Sequence, residues 1–166
     1  MRKKIIGVMG PGAGATERDK TRAYELGKMI AENGWVLLSG GRNVGVMDAV
    51  SRGAHDAGGL VIGILPGKDG NDASEGVDIP ILTGMGGGRN VINVLSSDVV
   101  IACGMGAGTA SEVAHAIKIG KSVILLEVGE EAKQFFQRLS PKLITICDSV
   151  SSAIIEIQKG FLNLII

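Results

Sequence analysis

Short apolar runs alternate along this chain with longer stretches in which apolar side chains recur every three or four positions. The runs Lys4–Met9, Trp35–Ser39, Leu60–Leu65, Ile79–Leu82, Val99–Ala102, Ser122–Glu127 and Lys142–Cys147 read as strands. Between the first two, Glu17–Asn33 places Tyr24, Leu26, Met29 and Ile30 at helical spacing and stops at Gly34. Further helices are predicted over Val44–Ala57, Gly88–Ser96, Thr109–Ile119, Glu130–Arg138 and Val150–Lys159. Pro66–Asp78 is a polar, glycine-rich loop, longer than most connections, which marks it for a function. Strand and helix alternating from end to end means a parallel sheet with helices on both faces. The strands are apolar throughout instead of alternating, as strands covered on both sides are. The expectation is an α/β chain, doubly wound as a three-layer αβα sandwich on a mostly parallel sheet of about seven strands, one domain over residues 1–166.

Composition narrows the classes of partner. Of 166 residues, 45% are hydrophobic and 20% charged, enough to build a core. Lys+Arg and Asp+Glu are both 17, so there is no basic field to attract nucleic acid. At 3% aromatic residues the chain also lacks base-stacking platforms. Cys103 and Cys147 sit in apolar strand contexts and read as buried, reduced thiols. The start, MRKKIIGVMG, is basic and then apolar, but its apolar run is too short for a signal peptide. No stretch approaches a membrane span, so the expected location is the cytoplasm. The apolar tail GFLNLII suggests a subunit contact.

Glycine is the outlier: there are 26, about double a background of roughly 7%. Three groups follow strands and open helices: GPGAGAT (Gly10–Thr16), SGGRNVGVM (Ser39–Met47) and GMGAGT (Gly104–Thr109). In an open parallel sheet the carboxyl ends of the strands hold the ligand crevice. Bare backbone N–H groups and helix N-termini there suit a phosphate or another anion. Gly10, Gly12, Gly14, Gly40, Gly41, Arg42, Asn43, Gly45, Gly104, Gly106, Gly108 and Thr109 are therefore the candidate binding residues. The first group fits G-x-G-x-x-A, yet the second strand ends in Ser39-Gly40-Gly41 with no carboxylate for a ribose, which disfavours NAD. No lysine follows the glycines, which removes a Walker A loop.

The blocks GGRNVGVMDAVSRGA (Gly40–Ala54) and GRNVINVLSSDVVIACGMGAGTASEVAHA (Gly88–Ala116) resemble two motif blocks of the LOG family, the "lonely guy" cytokinin-activating phosphoribohydrolases often labelled lysine decarboxylases. Within it the chain is most similar to uncharacterised bacterial members and to molybdenum cofactor carrier proteins, which share a Rossmann-like fold with the DNA-processing protein DprA. LOG enzymes carry an arginine in M-x-x-R-K and a glutamate closing P-G-G-x-G-T-x-x-E, and Arg89 and Glu112 stand at those positions. The resemblance implies that Arg89 and Glu112 are catalytic in cleaving the N-glycosidic bond of a nucleoside 5′-monophosphate to base and ribose 5-phosphate. It gives Glu112 the sugar and the attacking water, Arg89 the phosphate or base, and Thr109 a helix cap that touches phosphate. It also implies a homodimer or homotetramer. Two departures point to the carrier branch: Gly104-Met105 replaces Pro-Gly, and Asn90 follows Arg89 where the enzymes have lysine. The alternative reading is accordingly a non-catalytic carrier or sensor of molybdenum cofactor or a related nucleotide, with no cofactor required for catalysis.

Other chemistry finds little footing. Glu112 and His115 share a helical face, but the second histidine, His55, belongs to a helix end away from the glycine turns, so no metal site is expected. A pyridoxal phosphate lysine decarboxylase needs a Schiff-base lysine, and no glycine turn holds one. Met47 reads as core.

Overall fold

A computed structural model describes residues 2–162. Seven strands form one parallel sheet: β1 (Ile5–Met9), β2 (Val36–Ser39), β3 (Val61–Leu65), β4 (Ile79–Leu82), β5 (Val99–Cys103), β6 (Val123–Leu126) and β7 (Ile144–Cys147). Their order is β4-β3-β2-β1-β5-β6-β7, so the chain winds outward in one direction from β1 and then returns to its other side. Six helices connect them: α1 (Glu17–Glu32), α2 (Gly45–Asp56), α3 (Arg89–Ser96), α4 (Ala107–Lys118), α5 (Glu130–Leu139) and α6 (Val150–Leu162). This is the Rossmann-like, doubly wound αβα sandwich that the alternation predicts.

Successive strand residues point to opposite faces, which produces two cores. One face of the sheet (Ile6, Val8, Leu37, Ile101) packs on α1, α2 and α6 through Leu26, Ile30, Val50 and Ile154. The other (Met9, Leu38, Val100, Leu125) packs on α3, α4 and α5 through Val94, Val113 and Phe136. Cys103 and Cys147 are free and buried, as their contexts suggest.

Three details differ from the sequence reading. α4 begins at Ala107, two residues before the predicted Thr109, with Gly106 at its cap position. A short 3₁₀ turn (Gly86–Gly88) precedes α3. β4 carries strand hydrophobicity without the cover that implies: Ile79, Ile81 and Leu82 are exposed, as are Val91 and Leu95 on the outer side of α3. Of the apolar tail, Phe161 docks on the same sheet, edge-on to Trp35 at 5.6 Å between ring centroids. The subunit contact expected of the tail GFLNLII is not what Phe161 makes, and the tail's residues 163–166 lie outside the described residues. Among the described residues no helix is long and apolar enough to cross a membrane.

Candidate functional site

The three glycine turns follow β1, β2 and β5, which are adjacent in the sheet, so all three meet at one point on its carboxyl edge. That point flanks the reversal of strand order, where such sheets hold ligands. Pro11 is the hub. The Val46 amide donates to the Pro11 carbonyl at 3.0 Å. Gly45 sits at φ +58, and a Cβ there would meet the Gly12 carbonyl at 2.1 Å, so only glycine lets the second turn close on the first. From the other side the third turn reaches Pro11, with its Cδ 3.2 Å from where a Gly104 Cβ would stand.

The turns enclose a cleft of about 410 Å³, within the usual ~300–1,000 Å³ of small-ligand sites. Gly10, Gly12 and Gly14 form one wall, Gly40 and Arg42 a second, and Gly106, Gly108 and Thr109 a third. Arg89 and Glu112 also line it. Gly41, Asn43, Gly45 and Gly104 do not. Gly41 packs on the Gly63 backbone and Gly104 on the Asp19 carboxylate. The Asn43 amide donates to the Asp72 carbonyl at 2.8 Å, in the loop after β3. These residues hold the turns together from behind. Met47 belongs both to the core and to the cleft lining.

The N-terminus of α4 opens on the cleft uncapped. Gly106 supplies no side-chain cap, and the first turn contains no acid. Thr109, expected to cap the helix, is its third residue instead. Its hydroxyl is buried, at 2% exposure, and has no hydrogen-bond partner among the described residues. A buried hydroxyl left unsatisfied costs about 1–3 kcal/mol, which makes Thr109 a candidate donor to anything that enters the cleft.

Arg89 is more structural than the sequence suggests. Its Nη1 donates to the Gly40 carbonyl at 2.7 Å and to the Ile64 carbonyl at 2.5 Å. It thereby ties α3 to the carboxyl ends of β2 and β3. Burial lowers its pKa; Glu112 opposes that shift and Arg42 adds to it. Glu112 is 6% exposed and accepts from Asn93 Nδ2 at 2.8 Å. Burial pushes its carboxyl up to about 7, against the opposing pull of that hydrogen bond and of the Arg89 charge. A carboxyl at that value holds or moves a proton near neutrality. Arg42 donates from Nε to Asp72 Oδ2 at 2.7 Å.

Sequence reasoning missed Asn93 and Asp72, and noted Asn90 only as a departure from the LOG pattern. Asn93 lies four residues after Arg89 and so on the same side of α3, a signal that was present. Asn90 lines the cleft and donates to Ser111 Oγ at 3.0 Å, where LOG enzymes carry lysine. Asp72 comes from the aperiodic loop, clasped to the second turn by the Arg42 pair, the Asn43 bond and Ser74 N–H donating to the Gly41 carbonyl at 2.8 Å.

Known proteins share this fold. The chain is 55% identical to the molybdenum cofactor binding protein of the phototrophic bacterium Rippkaea orientalis, over 97% of this chain and 99% of that one, with a TM-score of 0.95. It is 50% identical to the Moco carrier protein of Chlamydomonas reinhardtii, over 98% of this chain and 99% of that one, with a TM-score of 0.93. Similarity to a LOG enzyme is shorter: 38% identity over 64 residues to the cytokinin riboside 5′-monophosphate phosphoribohydrolase LOG of Oryza sativa subsp. japonica, 39% of this chain and 26% of that protein. The chain thus spans about a quarter of that enzyme. A family model matches residues 3–154, nearly the whole described fold, and by it the chain belongs to the SLOG cluster4 family.

Proposed function

We propose that the cleft binds a small phosphorylated ligand as cargo, molybdenum cofactor first among the candidates, and holds it without cleaving it. The observation that carries this reading is the uncapped N-terminus of α4 with the unpartnered Thr109 hydroxyl beside it. Backbone N–H groups, a helix dipole and a free hydroxyl together receive a phosphate. Arg42 lines the same cleft, held there by its ion pair with Asp72. The residues fit a phosphorylated pterin: Gly106, Gly108 and Thr109 would hold the phosphate, and the walls formed by the first two glycine turns would hold the ring system. Molybdenum cofactor would bring redox chemistry when bound; here the chain's part is to hold it in the cleft. Near-complete coverage of the chain by a cofactor binding protein and a carrier, against 64 residues of a LOG enzyme, supports cargo over substrate.

Hydrolysis remains the second reading, favoured by one observation: Glu112 titrates near neutrality inside the cleft. Against it, both Nη1 hydrogens of Arg89 are already donated to carbonyls. Incubation with a panel of nucleoside monophosphates, assayed for ribose 5-phosphate, separates the two. The cargo reading expects no release; release that vanishes in Glu112→Gln would replace it with the hydrolase.

We propose that the homodimer or homotetramer expected from the sequence uses the exposed side of β4 and α3. Its outward side chains, Ile79, Ile81, Leu82, Val91 and Leu95, carry no charge, so a second copy meets no like-charge repulsion there. Leu95→Glu should lower the mass measured by light scattering; an unchanged mass would put the contact elsewhere.

A further inference from the structure

Thr109 and Glu112 are three residues apart on α4 and line the same cleft. An oxyanion that accepts from the Thr109 hydroxyl therefore stands roughly one turn, ~5 Å along the helix, from Glu112. The carboxyl is largely out of water, so repulsion between the two charges is weakly screened. Glu112 is the only acid among the residues that line the cleft.

The charged and titratable groups around Glu112 come from few elements. α3 brings Arg89 and the neutral Asn93. The second glycine turn brings Arg42, already paired with Asp72. The first turn, Gly10–Thr16, and the residues Val8 and Met9 bring no charge. On α4 itself His115 follows one turn later. Arg89, committed to two carbonyls, is left to balance either the carboxylate or the ligand. Asn93 suits both states of the acid. Its Nδ2 donates to the ionised carboxylate, whereas the same amide turned over would present Oδ1 to a carboxyl O–H. That oxygen is buried and without a partner.

We propose that binding at this site is proton-linked: the oxyanion enters with one proton from solvent taken up by Glu112, and is released as that proton leaves. The proposal rests on the reading that α4 receives the ligand's anionic group. Burial already holds the Glu112 carboxyl near 7, so both forms are present at neutral pH. An anion beside it raises the carboxyl further, which by linkage is proton uptake on binding. Affinity is then highest below pH 7 and falls above it. A carrier built this way retains cargo in one protonation state and yields it in the other.

Sulfate tests this on the full chain, because it stays fully ionised across the range. Calorimetric titrations from pH 5.5 to 9, in two buffers of different ionisation heat, give affinity and protons together. The wild type should be flat near pH 6, then lose up to about tenfold per pH unit above 7, taking up as much as one proton. Glu112→Gln should bind at the wild type's low-pH affinity at every pH, with no proton uptake from that group. A flat wild-type profile, or an equal slope in Glu112→Gln, overturns the proposal and leaves the anion site standing. No sulfate binding to either protein at any pH, repeated with inorganic phosphate, removes the anion site and the proposal with it.

Discussion

Among the helices that begin at glycine turns, α1 and α4 are opposites. α1 closes its own N-terminus: Thr16 Oγ1 accepts from the Asp19 amide at 3.1 Å, and Asp19 Oδ2 accepts from the Thr16 amide at 2.9 Å. Glu17 and Asp19 also place acid in its first turn. α4 has a glycine at the cap position, no acid in its first turn and a threonine hydroxyl left unpartnered. Both helices follow a strand through G-x-G, and the turn before α1 (Gly10–Gly14) lines the same cleft as the first residues of α4. The difference is that α1 stabilises itself, while α4 leaves its first amides and its dipole without a side-chain partner. On the proposed reading a glycine-rich turn is only half of an anion site; the other half is the missing cap.

The strongest way to break the contrast is to give α4 what α1 has. Gly106→Asp places a capping acid where phosphate would sit. A Cβ at this position meets Pro11 Cβ at 3.4 Å, an ordinary contact, so the fold should tolerate it. Ligand or sulfate affinity should fall about a hundredfold, as expected when a charge-assisted contact worth ~3 kcal/mol is lost, while Tm holds or rises. Retained affinity would show that the anion binds elsewhere.

Next is the cost of leaving Glu112 buried. Its carboxyl rises from an ordinary value of 4.5 to about 7 on folding, so its favourable contribution is complete below 4.5, declines between 4.5 and 7, and is gone above 7. Glu112→Gln, which can still accept from Asn93, should therefore be more stable than the wild type at pH 8 by up to ~3 kcal/mol. Near pH 4 the two should converge. Denaturant melts at both values check this, and an equal gap at both would mean that the carboxyl does not titrate as described.

Two smaller effects sharpen the comparison from either side. Thr109→Val should weaken ligand about tenfold, one neutral-to-charged hydrogen bond, without loss of Tm, because the hydroxyl has no partner in the free protein. Thr16→Ala should do the reverse: about 1 kcal/mol of stability lost, read from Tm, with ligand affinity within about twofold. Equal behaviour of the two threonines would erase the distinction between a closed and an open helix end.

The sheet and its helices were legible because apolar periodicity is local, and each strand announces itself by a run such as Val99–Ala102. The cleft was legible for a related reason: glycines after strands in a doubly wound sheet share an edge. What could not be read depends on strand order. Arg89 reaches the Gly40 and Ile64 carbonyls because α3 packs over the ends of β2 and β3, which no spacing in the sequence records. Asp72 belongs to a loop without period, placed by backbone bonds to Asn43. Thr109 was misread as a cap because Thr after glycine fits one; the helix starts earlier, and the hydroxyl is free for that reason. β4 shows the limit of hydrophobicity, since an exposed edge and a buried strand use the same residues.

The central claim is that α4 holds the phosphate of a carried ligand, and one measurement meets it directly. Wild type and Gly106→Asp are each incubated with molybdenum cofactor, separated by gel filtration, and assayed for pterin eluting with protein. The account predicts pterin retained by the wild type and lost from Gly106→Asp. Equal retention by both would contradict it.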